Sequence, residues 1–181
     1  MQTLIDNQKT TLFLTGDDLP REINSLWLIL EGAVKTYTYG HSGNPITLGF
    51  WGKDDVVGSA LTRLEPYGIR CLGEVRVLAV SEQNQENLAA RILYHSQQTQ
   101  QLTYISRNTR VAQRLWLLLE WLGNKFGQII SQGNLIDVKL THRELAEAIG
   151  TTRITVTKIL NQFEREGLIV RQQTKCIVLK K

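Results

Sequence analysis

The sequence predicts an α+β protein that begins with a β-barrel, continues through a long helix and ends in a small unit of two helices and a hairpin. Three observations carry this prediction. Short β-branched segments alternate with turn residues up to about residue 81, residues 83–126 contain no proline, and a two-helix pattern follows residue 140. We therefore divide the chain into a β-barrel domain at 1–82, a helical connector at 83–126 and a C-terminal domain at 127–181.

Short apolar segments between glycine-rich turns are typical of a sandwich or jelly-roll barrel. An enzyme built on such a barrel would need metal-binding histidines on its strands, and His41 instead follows a turn, so we do not expect an enzyme or a metal site. The predicted strands are Leu26–Leu30, Val34–Tyr39, Ile46–Trp51 and Val75–Val80.

The helical connector carries a stripe with the heptad spacing of a coiled coil. Several members of the stripe are polar, and two interpretations stay open: a seam between two copies of the chain, which we favour, or packing of the helix on its own barrel. We expect a break near residues 107–109 and burial of the apolar run Leu115–Leu122 that follows. The predicted dimer interface consists of Leu88, Ile92, His95, Thr99, Leu102, Ser106 and Thr109.

After Gly127–Asn134, which has the composition of a linker, the chain shows the start and stop signals of two short helices. Thr141 and Glu144 have the spacing of a capping box. Gly150 tolerates the left-handed conformation of a tight turn, and Thr152 can cap a second helix. Two helices joined in this way predict a helix-turn-helix.

A hairpin follows the second helix. Its strands are Leu168–Val170 and Ile177–Leu179, and its polar tip contains Lys175. The charge is also concentrated in this part of the chain: residues 137–181 hold 9 basic and 5 acidic residues and account for the whole net charge of +4. A basic helix-turn-helix followed by such a "wing" indicates a polyanionic partner, double-stranded DNA.

From Leu140 to Leu160 the sequence LTHRELAEAIGTTRITVTKIL resembles the Crp/Fnr family of transcription regulators, and most of all its cyanobacterial nitrogen-control members. The barrel segments Trp27–Lys35 and Val56–Gly58 carry the resemblance towards the N-terminus. The resemblance implies a barrel like a cyclic-nucleotide-binding domain, a dimerisation helix and a winged helix-turn-helix. It also implies a homodimer on an inverted-repeat operator, with RNA polymerase as a further candidate partner.

The second helix of a helix-turn-helix enters the major groove, and its first residues contact base edges. By position in the family, Arg153 and Lys158 are the basic residues of this helix, and Ile154 between them suits a thymine methyl group. Thr157 faces the same side. The resemblance places phosphate contacts at Thr141, Arg143, Thr152 and Thr155, and we expect another at Lys175.

The barrel departs from the cyclic-AMP-binding members of the family. Gly58 is followed by Ser59, where those members have glutamate, and the chain has no Arg-Ser pair. Cyclic AMP is therefore not expected. 2-Oxoglutarate or another small effector is a candidate, with Arg70 or Arg76 as the candidate arginines. The alternatives are a regulator with a vestigial pocket, or a ligand-binding or protein-interaction module without DNA binding.

The rest of the composition fits a protein of the cytoplasm. No apolar stretch approaches the roughly 20 residues that cross a bilayer, and the two cysteines, Cys71 and Cys176, lie far apart. We therefore expect reduced thiols, no membrane partner and no bound cofactor other than an effector.

Overall fold

The computed structural model describes residues 10–21, 25–80, 87–172 and 176–180. The chain forms two compact units, Met1–Tyr39 with Phe50–Gln98, and Gly40–Gly49 with Thr99–Lys181. None of the described helices is long and apolar enough to cross a membrane.

The N-terminal part of the chain is a β-sandwich made of two sheets. One sheet has the order β1-β7-β2-β5 and the other has the order β4-β3-β6. Its elements are β1 (Thr10–Phe13), β2 (Trp27–Glu31), β3 (Val34–Tyr39), β4 (Pro45–Trp51), β5 (Val56–Val57), a 3-10 turn (Ser59–Leu61), β6 (Tyr67–Cys71) and β7 (Val75–Ala79).

The core of the sandwich is built from the inward side chains of both sheets. Ile29 and Val77 come from the first sheet, Val34 and Ile69 from the second, and Trp51 closes the end of β4. Each is almost completely buried. The alternation of β-branched and polar residues therefore produces the predicted barrel-like sandwich, and the four predicted strands are confirmed within one residue at either end.

Two helices follow, α1 (Leu88–Ser106) and α2 (Val111–Phe126). They are separated at residues 107–110, next to the predicted break. On α2 the buried residues are Leu115, Leu118, Leu119 and Leu122, and Trp116 packs edge-to-face on Phe163 with ring centroids 5.5 Å apart. The apolar run of α2 thus contributes its side chains to the core of the C-terminal unit.

The C-terminal unit contains β8 (Gly127–Ile130), β9 (Gly133–Ile136), α3 (His142–Ile149), α4 (Arg153–Arg165), β10 (Ile169–Arg171) and β11 (Ile177–Leu179). Its sheet has the order β10-β11-β9-β8. The linker predicted at Gly127–Asn134 is wrong. These residues form part of a hairpin in which β8 pairs with β9, and β9 also pairs with β11 from the far end of the chain, a partner that local composition does not reveal. The α+β class and the predicted order of parts are confirmed.

Candidate nucleic-acid interface

The first helix of the helix-turn-helix, α3, begins with the predicted capping box. The Thr141 hydroxyl accepts a hydrogen bond from the Glu144 backbone N–H at 3.2 Å, and the Glu144 carboxylate accepts one from the Thr141 N–H at 2.8 Å. These bonds satisfy backbone donors that a helix start leaves open. Leu145 and Ile149 of α3 are almost fully buried. The cap therefore lies at the surface, beside a helix anchored by its apolar face.

A tight turn joins α3 to α4. Gly150 adopts φ 64° and ψ 53°, the left-handed conformation predicted for it. Thr152 then caps α4: its hydroxyl accepts from the Thr155 N–H at 3.2 Å and lies 2.9 Å from the Thr155 hydroxyl. The capping bonds hold both threonines at the start of α4. They are the positions at which the family resemblance expects phosphate.

The recognition helix α4 has a buried and an exposed face. Val156 and Leu160 are fully buried, and Phe163 nearly so. On the other side, Arg153 and Lys158 are exposed, and Ile154 exposes 68% of its surface. Among the described residues, neither Arg153 nor Lys158 has an ion-pair partner. The face that the sequence predicted to meet DNA is thus exposed and basic, with an apolar side chain at its centre.

Two of the predicted contact residues have partners inside the domain. The Thr157 hydroxyl donates to the Arg153 carbonyl oxygen at 2.9 Å, and its oxygen lies 2.8 Å from His142 Nδ1. Arg143 is exposed and pairs with Glu147 one turn later on α3, at 3.0 Å. Arg143 can rearrange towards a phosphate, because exposed pairs of this kind are weak. The Thr157 hydroxyl is committed, which leaves only its methyl group for a base contact.

The wing is tied to α4 by an ion pair that sequence analysis missed. Arg171 on β10 donates from Nε to the Glu164 carboxylate on α4 at 3.0 Å, and its Nη2 contacts the same oxygen. The hydrogen bonds from Arg171 lower the pKa of Glu164. This pair connects β10, the first strand of the wing, to α4. Lys175, predicted to contact phosphate, lies outside the described residues.

The predicted dimer stripe on α1 has intrachain contacts at several positions. The His95 ring stacks on Trp51 with centroids 3.9 Å apart, and its Nδ1 donates to the Val56 carbonyl oxygen at 3.0 Å. Leu102 is buried within the chain. The other predicted positions range from half-buried (Leu88, Ser106) to exposed (Ile92, Thr99, Thr109).

A different side of α1 carries its most exposed apolar side chains. Leu93 exposes 60% of its surface and Tyr104 exposes 64%. They lie three helical turns apart. Gln97 and Gln100 lie between them on the same stripe, so that the four residues follow one another at intervals of four, three and four. The most exposed apolar side chains of α1 thus lie on a different stripe from the one that the heptad spacing predicted as the dimer interface.

The sandwich contains a cavity of about 530 Å³. Of the predicted effector residues, Ser59 lines it, and its hydroxyl accepts from the Ser25 N–H at 3.1 Å. Gly58 lies next to the cavity, where a Cβ atom would come within 2.0 Å of the Ser25 carbonyl oxygen. No side chain can therefore replace Gly58 without moving the backbone.

The predicted arginines do not line this cavity. Arg70 pairs with Asp18 at 2.7 Å and also contacts the Tyr37 hydroxyl, and Arg76 pairs with Glu31 at 3.2 Å. Each arginine lies on a strand and forms an ion pair with an acidic side chain from another part of the sandwich. Two loop arginines that sequence analysis did not consider, Arg21 and Arg63, line the cavity instead. No local motif marks them, since they come together only through the fold.

Fold and surface together define a class of protein: a winged helix-turn-helix DNA-binding domain joined through helices to a β-sandwich that contains a ligand-sized cavity. Residues 109–181 match the Crp-like helix-turn-helix domain, and residues 8–91 match the cyclic nucleotide-binding domain. The chain belongs to the Crp/Fnr family of transcription regulators. It is accordingly a transcription regulator with a helix-turn-helix DNA-binding domain.

Individual relatives agree with this assignment. Regulatory protein CysR of Synechococcus elongatus is 38% identical over 166 residues, which is 88% of this chain and 79% of that protein. The Global nitrogen regulator of a Nostoc species is 29% identical over 94% of this chain and 82% of its own length. A solved CRP-family regulator from Thermus thermophilus superimposes with a TM-score of 0.79 at 21% identity, over 94% of this chain and 92% of that one. The predicted resemblance to cyanobacterial regulators is confirmed.

Proposed function

We propose that the protein reads an inverted-repeat operator as a homodimer, with one α4 helix in each of two successive major grooves. The observation that carries this proposal is the outer face of α4, where Arg153 and Lys158 are exposed without ion-pair partners among the described residues. Arginine suits guanine, because its planar fork matches the O6 and N7 acceptors. The capped helix starts at Thr141 and Thr152 supply hydroxyl and backbone groups for phosphates.

Selection of preferred duplexes from a random DNA pool tests this proposal and gives the operator. Replacing Arg153 by alanine should then remove a bidentate base contact and lower the preference for the selected guanine by about tenfold to one-hundredfold. Arg165→Ala is the matched control, since Arg165 lies in the last turn of the same helix and bonds the Asn161 carbonyl oxygen. Unchanged base preference in Arg153→Ala would reject the assignment.

We propose further that dimerisation uses the exposed stripe of α1, which contains Leu93, Gln97, Gln100 and Tyr104. Leu93 and Tyr104 are exposed in the single chain. In the stripe predicted from the heptad spacing, by contrast, His95 stacks on Trp51 and Leu102 is buried within the chain. Exposed apolar side chains at heptad spacing are what a parallel helix pair buries. We also propose RNA polymerase as a partner of the dimer.

A second proposal concerns the cavity of the sandwich, which we infer to hold a small anionic effector. The supporting observation is its lining: Arg21 and Arg63 supply two positive charges against one negative charge from Glu65, and Ser25, Ser59, Thr62 and Tyr67 supply hydroxyl groups. Burial raises the pKa of Tyr67, so its hydroxyl keeps its proton and can donate. A volume of about 530 Å³ lies within the range of roughly 300–1,000 Å³ that small-molecule sites occupy. A dicarboxylate such as 2-oxoglutarate fits this chemistry.

Calorimetric titration with 2-oxoglutarate, and separately with cyclic AMP, tests the effector proposal. We expect 2-oxoglutarate to bind to the wild-type protein, and Arg63→Ala to weaken that binding at least about tenfold, since a charge-assisted hydrogen bond contributes roughly 1.5–3 kcal/mol. Arg76→Ala, a strand arginine outside the cavity, serves as the control and should bind normally. Absence of binding by the wild-type protein would favour the vestigial pocket.

A further inference from the structure

His142 connects the start of α3 to the middle of the recognition helix. The side chain is half-buried, and its Nδ1 lies 2.8 Å from the Thr157 hydroxyl oxygen. Thr157 in turn donates to the Arg153 carbonyl oxygen at 2.9 Å. A hydroxyl has a single hydrogen, and here the carbonyl takes it. The hydrogen between the ring and Thr157 must therefore come from the imidazole, which fixes the Nδ1–H tautomer.

This tautomer leaves Nε2 as the atom that can gain a second proton. Both the neutral ring and the imidazolium carry a hydrogen on Nδ1, so the bond to Thr157 survives in either state. Protonation thus changes the charge of the surface without releasing α4 from α3. His142 can therefore change its charge when the surrounding electrostatic potential changes, while its ring keeps its position.

The charges around His142 favour the neutral ring in the free protein. Burial, Arg171 on β10 and Arg153 on α4, in that order, lower the pKa of His142. Glu164 offsets part of the Arg171 charge through their ion pair. On α3 itself the charged neighbours are Arg143, which pairs with Glu147, and Glu144, which belongs to the cap.

DNA would reverse this balance, because phosphates bring a strong negative potential to the surface that carries Arg153. We propose that His142 is a proton-linked positioning residue of the DNA-reading surface: it holds α4 through Thr157 and binds a proton when DNA binds. The proposal rests on the DNA interface proposed above. It adds a residue to that interface and makes operator affinity depend on pH.

The sign of the effect follows from linkage. If the pKa of His142 is higher in the complex than in the free protein, protonation favours the complex. The extra affinity is then fully present below the pKa of the free protein and is lost as the pH rises through the pKa of the complex. We expect affinity to increase about threefold to tenfold between about pH 8 and about pH 6, a range that spans the ordinary histidine value.

The test measures operator binding by the full chain across this pH range at constant ionic strength, using fluorescence anisotropy with a selected duplex. His142→Asn is the decisive variant, because its amide N–H can replace Nδ1–H as donor to Thr157 but cannot gain a proton. It should bind like the wild-type protein near pH 8 and lack the gain on acidification. His142→Ala should bind more weakly throughout, and circular dichroism checks that each variant is folded.

NMR titration of the His142 ring supplies a second measurement, which should give a higher pKa in the duplex complex than in the free protein. Equal pH dependence in the wild-type protein and His142→Asn would overturn the proton linkage. A His142→Ala variant with wild-type affinity near pH 8 would overturn the positioning role. Failure of the wild-type protein to bind any selected duplex would instead overturn the proposed function, and this proposal with it.

Discussion

Ile154 stands at the centre of the exposed face of α4, next to Arg153, with 68% of its surface exposed. A large apolar side chain that is mostly exposed gains little from burial within the domain, and it suits a thymine methyl group in the major groove. The exposed face of α4 therefore predicts a thymine contact beside the arginine contact.

The methyl contact can be tested without altering the protein. Replacing the thymines of the selected operator by deoxyuridine removes only the 5-methyl groups, and we expect the wild-type protein to lose about threefold to tenfold in affinity, as burial of one apolar group predicts. Ile154→Ala should bind both duplexes equally. A wild-type protein that does not distinguish the two duplexes would contradict the assignment, and Arg165→Ala should behave like the wild-type protein.

At the scale of elements, the turn between α3 and α4 sets where the recognition helix points. Gly150 has the left-handed φ of 64°, and a Cβ atom placed there would meet no atom within 4 Å. The cost of a substitution at this position is therefore backbone strain alone. Steric clash contributes nothing.

We expect Gly150→Ala to lower the free energy of unfolding by about 1 kcal/mol, because residues with a side chain disfavour this conformation. Gly150→Asn should retain more stability, since asparagine adopts the left-handed region more readily. Urea denaturation followed by circular dichroism measures both variants. Equal stability of the alanine variant and the wild-type protein would show that the turn relaxes to another conformation.

The sequence predicted some features of these elements and missed others. The cap at Thr141, the turn at Gly150 and the cap at Thr152 depend on residues three or four apart, and all were predicted. The hairpin at Gly127–Ile136 was missed although its strands pair locally, because its first eight residues have the composition of a linker; the strand that it joins, β11, lies about forty residues away. The cavity arginines Arg21 and Arg63 and the contact between His142 and Thr157 were missed because each brings together residues from separate segments of the chain. Pairing over long sequence separations leaves no local pattern.

The proposed homodimer adds two-fold symmetry to these local features. An inverted repeat has two half-sites about 34 Å apart, one helical turn of DNA, and a two-fold dimer presents two recognition helices to them. The side of α1 that forms the seam determines where those helices lie. The heptad pattern selected the stripe with Ile92 and Thr99, whereas surface exposure selects the stripe with Leu93 and Tyr104.

Two single substitutions decide between these seams. Tyr104→Glu places an unpaired charge in the proposed seam, and Thr99→Glu places the same charge in the alternative one; both side chains are exposed in the single chain, so neither change disturbs its core. We expect Tyr104→Glu to produce monomers in analytical ultracentrifugation, because desolvating an unpaired carboxylate opposes association. Thr99→Glu should remain dimeric.

Operator binding supplies a second measurement. Monomers should bind an isolated half-site like the wild-type protein, but they should not bind the full inverted repeat more tightly than the half-site, since the second contact is no longer intramolecular. The opposite pattern, monomers from Thr99→Glu alone, would return the seam to the stripe predicted by the heptad spacing.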